Sequence, residues 1–436
     1  LSLHDALPIF TELLDPFLFR DMHVAVDRLN EALGRKERIL VYGDYDVDGC
    51  TAVALVYRFL QQFTSNIDFY IPDRYEEGYG VSYKGVDYAN ETGVKLIIVL
   101  DCGIKAVDEI AYAKSLGIDF IICDHHVTGC GVGFKFMQAF AKNNGISFSR
   151  LTPLLDLCAI SIASDIVPVL GENRVLAYHG LKQINANPSV GIKAILEICG
   201  MTDREVTMND IIFKVGPRIN ASGRMQNGGE AVALLVEKDP HKAHRKALQI
   251  NAYNDQRKDL DKEMTQEANR IVERLDHNHE KKSIVLFSEE WHKGVIGIVA
   301  SRLTEIYCRP AVVITCSDNM ATGSARSVPG FDVYKAIESC RDLLENFGGH
   351  TYAAGLSLKV ENVDEFKRRF EQYVEENILP TQIQPELNID GRLDFRDVSH
   401  RFYNDLKRFA PFGPDNPKQM TAMSWGATPI SARALW

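Results

Sequence analysis

The chain has 436 residues, enough for two or three domains that each bury a core. It is 45% hydrophobic and 25% charged, as globular proteins are, and its formal net charge of −10 excludes a broad basic surface coating nucleic acid. Nine cysteines with no C-x-x-C pair exclude a zinc ribbon and a disulfide framework and point to a reducing, cytoplasmic setting, and no apolar run approaches the ~20 residues of a membrane span.

Residues 1–14, opening Leu1-Ser2-Leu3-His4-Asp5-Ala6-Leu7-Pro8-Ile9, carry no secretory signal pattern and are expected to lie outside the fold. From about 36 to 126, apolar runs of strand length alternate with helical periodicity. Ile39–Tyr42, Ile67–Ile71, Leu96–Leu100 and Phe120–Cys123 read as strands; residues 51–63, 84–92 and 106–116 read as helices. This alternation predicts an α/β fold with a parallel, doubly wound sheet. Residues 130–200 read as mostly helical, with a buried helix over Leu154–Val167 that carries Asp165. The densely charged stretch 239–282 predicts a solvated connecting helix. A second, smaller α/β pattern occupies 283–380, and 381–436 holds a short strand and helix.

Three of the four strand-like runs lead straight into acids or imidazoles. Ile39–Tyr42 precedes Gly43-Asp44-Tyr45-Asp46-Val47-Asp48-Gly49; Leu96–Leu100 precedes Asp101-Cys102-Gly103; Phe120–Cys123 precedes Asp124-His125-His126. Ligands of open α/β sheets sit beyond the carboxyl ends of the strands, so the three clusters should meet at one edge. Converging carboxylates repel unless a cation sits among them, and oxygen donors with a histidine suit Mg²⁺ or Mn²⁺. An EF-hand is disfavoured, because Leu55 stands where the twelfth-position acid would be. Two such ions about 3.5–4 Å apart clamp the attacking and leaving oxygens of a phosphoester displacement. Asp165, an acid in an apolar stretch, is a fourth candidate. The glycine-rich segments 216–224, 323–327 and 348–355 allow close backbone approach, and Arg218, Arg224 and Arg326 suit phosphate oxygens.

These residues resemble the motifs of the DHH phosphoesterase superfamily: V-Y-G-D-Y-D-V-D-G at 41–49, D-C-G-I at 101–104, D-H-H at 124–126 and A-S-D-I-V-P at 163–168. G-P-R-I-N-A-S-G-R-M at 216–225 and G-G-H-T-Y-A-A-G at 348–355 narrow the resemblance to the RecJ-type exonucleases with their DHHA1 domain. The resemblance runs from about residue 15 to 418. It implies a 5′→3′ exonuclease specific for single-stranded DNA, using two Mn²⁺ or Mg²⁺ ions in DNA repair and recombination. It makes Asp46, Asp48, Asp101, His125 and Asp165 metal ligands, with Asp101 between the ions and Asp44 as a ligand or an orienting group. His126 would contact the scissile phosphate, and Asp124 would hold a histidine tautomer. Arg74, Arg218, Asn220, Arg224, Ser324, Arg326 and His350 would bind DNA, and a narrow passage between two domains would admit one strand.

The resemblance further implies a DHH domain over 15–238, a connecting helix over 239–282, a DHHA1 domain over 283–380 and, from 381, a lead into an oligonucleotide-binding fold. Its partners would be single-stranded DNA, a single-strand-binding protein and a helicase, for a monomer away from membranes. Family members carry a further strand and loop after the third motif. Here Gly129 runs straight into Cys130-Gly131-Val132-Gly133-Phe134, as if a segment were missing. Three other readings compete: a DHH enzyme acting on short oligonucleotides or cyclic dinucleotides, a catalytically silent scaffold, and a binding-competent but inactive fragment.

Overall fold

In a computed structural model the chain forms two compact units, residues 1–254 with 389–436, and residues 255–388. The structure describes residues 7–124, 128–275, 280–317, 320–386, 388–418 and 421–423.

In the first unit, helix α1 (Met22–Gly34) precedes β1 (Arg38–Gly43), α2 (Val47–Leu60), β2 (Ile67–Tyr70), α3 (Tyr83–Glu91), β3 (Val94–Leu100), α4 (Val107–Ser115) and β4 (Asp119–Cys123). The strands form the expected parallel sheet, in the order β2-β1-β3-β4. Their unbroken apolar runs follow from burial on both faces. Ile39, Val41, Leu96, Ile98 and Leu100 pack on one side, while Leu40, Tyr42, Ile97 and Val99 pack on the other. Each aliphatic side chain so buried stabilises the fold by roughly 1.5–3 kcal/mol.

Helices α5 (Gly129–Asn143), α6 (Leu155–Ser164), α7 (Gly171–Ala186), α8 (Val190–Ile198) and α9 (Met208–Asp210) follow. A π-helical turn, Ile211–Val215, runs into α10 (Gly216–Met225), and α11 (Gly229–Leu235) comes next. Helix α6 is buried from Leu155 to Ala163 and ends three residues earlier than expected. Asp165 is its C-cap, and Ile166 turns away at φ 56°.

The expectation that residues 1–14 lie outside the fold fails for residues 7–14. The Phe10 ring stacks on His179 at 3.7 Å, and buried Lys135 donates to the Leu14 carbonyl (2.5 Å) and to Glu172 (2.7 Å). A buried ammonium needs acceptors, and this stretch supplies one. Residues 1–6 lie outside the described residues.

Helix α12 (Pro240–Leu275) leads into β5 (Ile284–Phe287), α13 (Ile296–Tyr307), β6 (Ala311–Ser317), β7 (Met320–Arg326), α14 (Val333–Glu338), β8 (Leu344–His350), β9 (Ala353–Lys359) and α15 (Val363–Asn377). The sheet order is β5-β6-β7-β9-β8, with only β5 and β6 parallel. One expectation changes here. Helix α12 is not merely solvated: buried Asp261 receives both arms of Arg302 at 2.8 Å, which fastens α12 to α13. The glycine-rich 348–355 forms the end of a β8–β9 hairpin, and β9 continues the sheet beyond β7.

The remaining segment, β10 (Gly391–Leu393), α16 (His400–Lys407) and β11 (Thr421–Met423), belongs to the first unit from residue 389 onward. Val169 N–H donates to the Pro414 carbonyl (2.9 Å), and Arg174 donates to the Arg408 carbonyl (3.2 Å). Among the described residues no helix is long and apolar enough to cross a membrane.

Phe134 is fully buried in α5. Phe134→Ala is expected to destabilise the first unit by about 3–5 kcal/mol in urea unfolding. A loss below ~1 kcal/mol would mean that α5 is not seated in this core.

Candidate metal and nucleic-acid site

The acids of the first motif do not continue β1. Asp44 follows the strand, Asp46 caps α2 by accepting from Gly49 N–H (3.0 Å), and Asp48 lies in the first helical turn. Three acids therefore gather at a helix N-terminus, where unpaired N–H groups favour negative charge. At the end of β3, Asp101 adopts φ 63°, a conformation that costs a non-glycine residue about 1–3 kcal/mol and recurs at functional sites. Asp124 follows β4 and accepts from Ile104 N–H (2.8 Å), tying the third cluster to the second. His125 and His126 lie outside the described residues.

Helix α5 begins against these acids. Gly129 N–H donates to Asp48 Oδ2 (2.6 Å), and Cys130 N–H (2.8 Å) and the Ser161 hydroxyl (2.7 Å) donate to Oδ1. Asp48 is thereby the anchor of α5 as well as a candidate ligand. The approach leaves no room for a side chain at residue 129, where a Cβ would lie 2.5 Å from the Cβ of Asp101.

The carboxyls raise one another. Burial is the largest cause at each, and neighbouring acids come next at Asp44, Asp46, Asp101 and Asp165. Burial and then the charges of Asp48, Asp46, Asp44 and Asp165 push Asp101 up to about 12. Asp165 is pushed up to about 8 by burial, Asp48 and Asp46. Burial also raises Asp48, against the hydrogen bonds it accepts.

Among the described residues no three of these groups close on a single point. The donor set nevertheless fits a hard divalent cation. It is all oxygen, it stands at the ends of β1, β3 and α6, and Asp44 Oδ1 is buried without a hydrogen-bond donor.

One wall of the site is cationic and aromatic. The Arg74 guanidinium lies over the Tyr45 ring at 3.9 Å, donates to the Gly223 carbonyl (2.9 Å) and offsets part of the rise at Asp44 and Asp46. Tyr79, well exposed, meets Tyr45 edge-on at 6.3 Å and donates to the Asp101 carbonyl (3.2 Å). The Tyr75 hydroxyl donates to the Arg224 carbonyl. Tyr45, Tyr75 and Tyr79 were not singled out from sequence. Their only signal was proximity to Asp44 and Arg74, and three tyrosines among polar residues read equally well as a loop.

Helix α10 has a role the sequence did not suggest. Asn220 Oδ1 accepts from Val47 N–H (3.1 Å), so Asn220 holds the acid loop. Arg218 is engaged with Asn251 (2.9 Å) and the Lys214 carbonyl (2.7 Å). A Cβ at Gly223 would lie 2.4 Å from the Tyr45 carbonyl oxygen, so glycine is what lets α10 approach this loop. Of the candidates in this segment, only Arg224 keeps its charge near Tyr45 and Tyr75.

The second unit holds the remaining candidates. Arg326, at the end of β7, donates to Ser324 Oγ (3.0 Å) and the Ala325 carbonyl (2.8 Å), and burial lowers its guanidinium. It makes no ion pair among the described residues. The first turn of α13 faces it, since a Cβ at Gly297 would lie 3.2 Å from Arg326 Nη2. His350 ends β8, exposed, and accepts from Tyr352 N–H (3.3 Å).

Residues 38–162 match the model of the DHH family, N-terminal domain, and residues 280–376 match the DHHA1 domain. The acid site thus sits in a DHH-family fold. The chain belongs, more narrowly, to the RecJ family. It is 34% identical to the single-stranded-DNA-specific exonuclease RecJ of Salmonella typhimurium, over 91% of this chain and 76% of that protein. It is 35% identical to the Bacillus subtilis protein of the same name, over 93% of this chain and 54% of that one. The crystal structure of RecJ from Thermus thermophilus in complex with Mn²⁺ superposes with a TM-score of 0.82 at 28% identity, covering 93% of this chain and 62% of that one. The chain therefore spans little more than half the length of some relatives. Its alignment with the Salmonella protein runs over 440 positions, more than the 436 residues available, so that relative carries residues this chain lacks.

The raised carboxyls set a pH dependence for the metal-free protein. Unfolded aspartates shed their protons near pH 4, while folded Asp165 and Asp101 keep theirs up to about 8 and about 12. The folded state binds more protons in that window, so stability falls as pH rises, by at most about 1.4 kcal/mol per unit for buried Asp101 and by less for Asp165, which is solvent-exposed and screened. Thermal melts in EDTA should show Tm dropping between about pH 5 and 8. Saturating Mn²⁺ should remove most of that slope. A metal-free Tm insensitive to pH would contradict the mutual repulsion.

Proposed function

We propose that this chain is a metal-dependent exonuclease that hydrolyses single-stranded DNA in the 5′→3′ direction, in DNA repair and recombination. The observation that carries the reading is that Asp44, Asp46, Asp48 and Asp165 lie near enough to Asp101 for their charges to raise it, beside the Arg74–Tyr45 wall. Asp44, Asp46, Asp101 and Asp165, with His125, would hold two Mn²⁺ or Mg²⁺ ions, and Asp48 would contribute while it anchors α5. Bound there, the ions supply water activation and neutralise charge on the phosphodiester. The protein's own groups do the rest. Arg74 and Arg224 draw the strand's phosphates to the acid edge, and His126 would donate to the scissile phosphate. Asp124 holds the second and third clusters together through Ile104. Tyr79, Tyr75 and Tyr45 offer faces on which bases stack without sequence readout.

In the second unit Arg326, Ser324, the α13 N-terminus and His350 would take a further phosphate. Asn220 and Arg218 are positioning groups in this reading. We read a DHH domain over 15–238, a connecting helix over 239–282 and a DHHA1 domain over 283–380; the family models themselves match 38–162 and 280–376. We infer a cytoplasmic monomer that works with a single-strand-binding protein and a helicase, a setting supported by nine free thiols.

Purified protein with Mn²⁺ is expected to release 5′ mononucleotides from long single-stranded DNA and to leave duplex intact. Preference for dinucleotides would favour a short-oligonucleotide DHH enzyme, and absence of hydrolysis with retained strand binding would favour an inactive fragment. Asp101→Ala should lower kcat by about 10³-fold or more, a loss of several kcal/mol, while strand affinity largely persists. Near-normal turnover in that variant would refute the acid site. Arg326→Ala should weaken binding and reduce the slope of log K against log salt by about 1. An unchanged slope would remove Arg326 from phosphate contact.

A further inference from the structure

We infer that Glu77 is a positioning residue: its carboxylate locks the segment 73–82 so that Arg74 and Tyr79 are held against the acid edge. Glu77 Oε1 accepts from Asp73 N–H (2.8 Å) and from the Tyr70 hydroxyl (3.0 Å). Glu77 Oε2 accepts from the same hydroxyl (3.1 Å) and from the Ser82 hydroxyl. One side chain thus joins the end of β2, the start of the loop and the N-cap of α3, where Ser82 Oγ also accepts from Gly85 N–H (2.9 Å). A second tie runs through buried Tyr42 at the end of β1, whose hydroxyl donates to the Gly80 carbonyl (2.9 Å) and accepts from Ser82 N–H (3.2 Å).

Between these anchors the loop's own hold is a single turn, in which the Asp73 carboxylate accepts from Tyr75 N–H (2.8 Å) and Glu76 N–H (3.0 Å). Tyr75, Glu76 and Tyr79 are exposed, and Gly78 and Gly80 turn at φ 86° and 89°. Its outward contacts reach the site through Arg74, Tyr75 and Tyr79. A loop of small and polar residues spends its time among many conformers unless such contacts select one, and ordering it beforehand spares that cost when ligand binds. Glu77 supplies the selection from inside the loop. Glu76, next to it, points instead to Lys84 on the surface (2.6 Å) and carries no such role.

The inference rests on the reading of Arg74 as a phosphate-binding group, and its test has a part that does not. Trypsin cleavage after Arg74 reports whether the loop is locked, with or without nuclease activity. Glu77→Ala should make that bond cleavable at least ~10-fold faster than in the parent protein, with Tm little changed. Glu77→Gln keeps an oxygen for Asp73 and Tyr70 and turns an N–H₂ toward Ser82 Oγ, so it should restore most of the protection. With Mn²⁺ and a 5′-phosphorylated single strand, Glu77→Ala should raise KM by about 10-fold with kcat within about threefold, because misplacement of a binding group by ~1 Å acts on complex formation. Equal protection of Arg74 in Glu77→Ala and parent would overturn the inference, as would a fall in kcat at unchanged KM. If the parent hydrolyses no strand while the proteolysis contrast holds, the exonuclease reading fails and the lock stands.

Discussion

Carboxylates drawn together in a poorly solvated corner repel one another, and much of the first unit is arranged around holding them there. Burial makes Asp44 and Asp101 costly, and neighbouring acids add to that cost. The fold answers with donors. The α2 and α5 N-termini turn N–H groups toward Asp46 and Asp48, Ser161 adds a hydroxyl, and Arg74 adds the nearest cation. Asp44 Oδ1 is left without a donor, and that residual imbalance is what a divalent ion would relieve.

The supporting elements are as specific as the acids. Helix α10 reaches the acid loop through Asn220 and packs on it through Gly223, while the Arg74 loop is tied back to α10 by the Gly223 and Arg224 carbonyls. Residues that carry polar or charged groups in a phosphate-binding pattern thus divide into two kinds. Arg74 and Arg224 keep charge near the site, whereas Arg218 and Asn220 spend their hydrogen bonds on the scaffold.

The start of α5 is fixed by the acids of two clusters. Gly129 closes directly on Asp101, and its N–H donates to Asp48 Oδ2. Cys130 N–H adds a second amide donor to Asp48, so the helix N-terminus and the carboxylate stabilise each other.

The sequence by itself determined the sheet, because apolar runs of strand length between helical periods permit little else, and it determined that Asp44, Asp101 and Asp124 stand at strand ends. Its family motifs likewise carried the DHH and DHHA1 assignment. It did not reveal that residues 7–14 pack on the core, that α6 stops at Asp165, or that the 348–355 glycines close a hairpin. Those outcomes depend on partners distant in the chain: Lys135 and His179 for the first, the register of β9 on β7 for the last. Packing alone settled which arginine faces the acids, that Asn220 grips Val47, that Tyr79 reaches the Asp101 carbonyl and that Glu77 ties Tyr70 to Ser82. A motif specifies which groups are present, while a hydrogen bond across 149 or 173 residues of chain exists only once both ends are placed by packing.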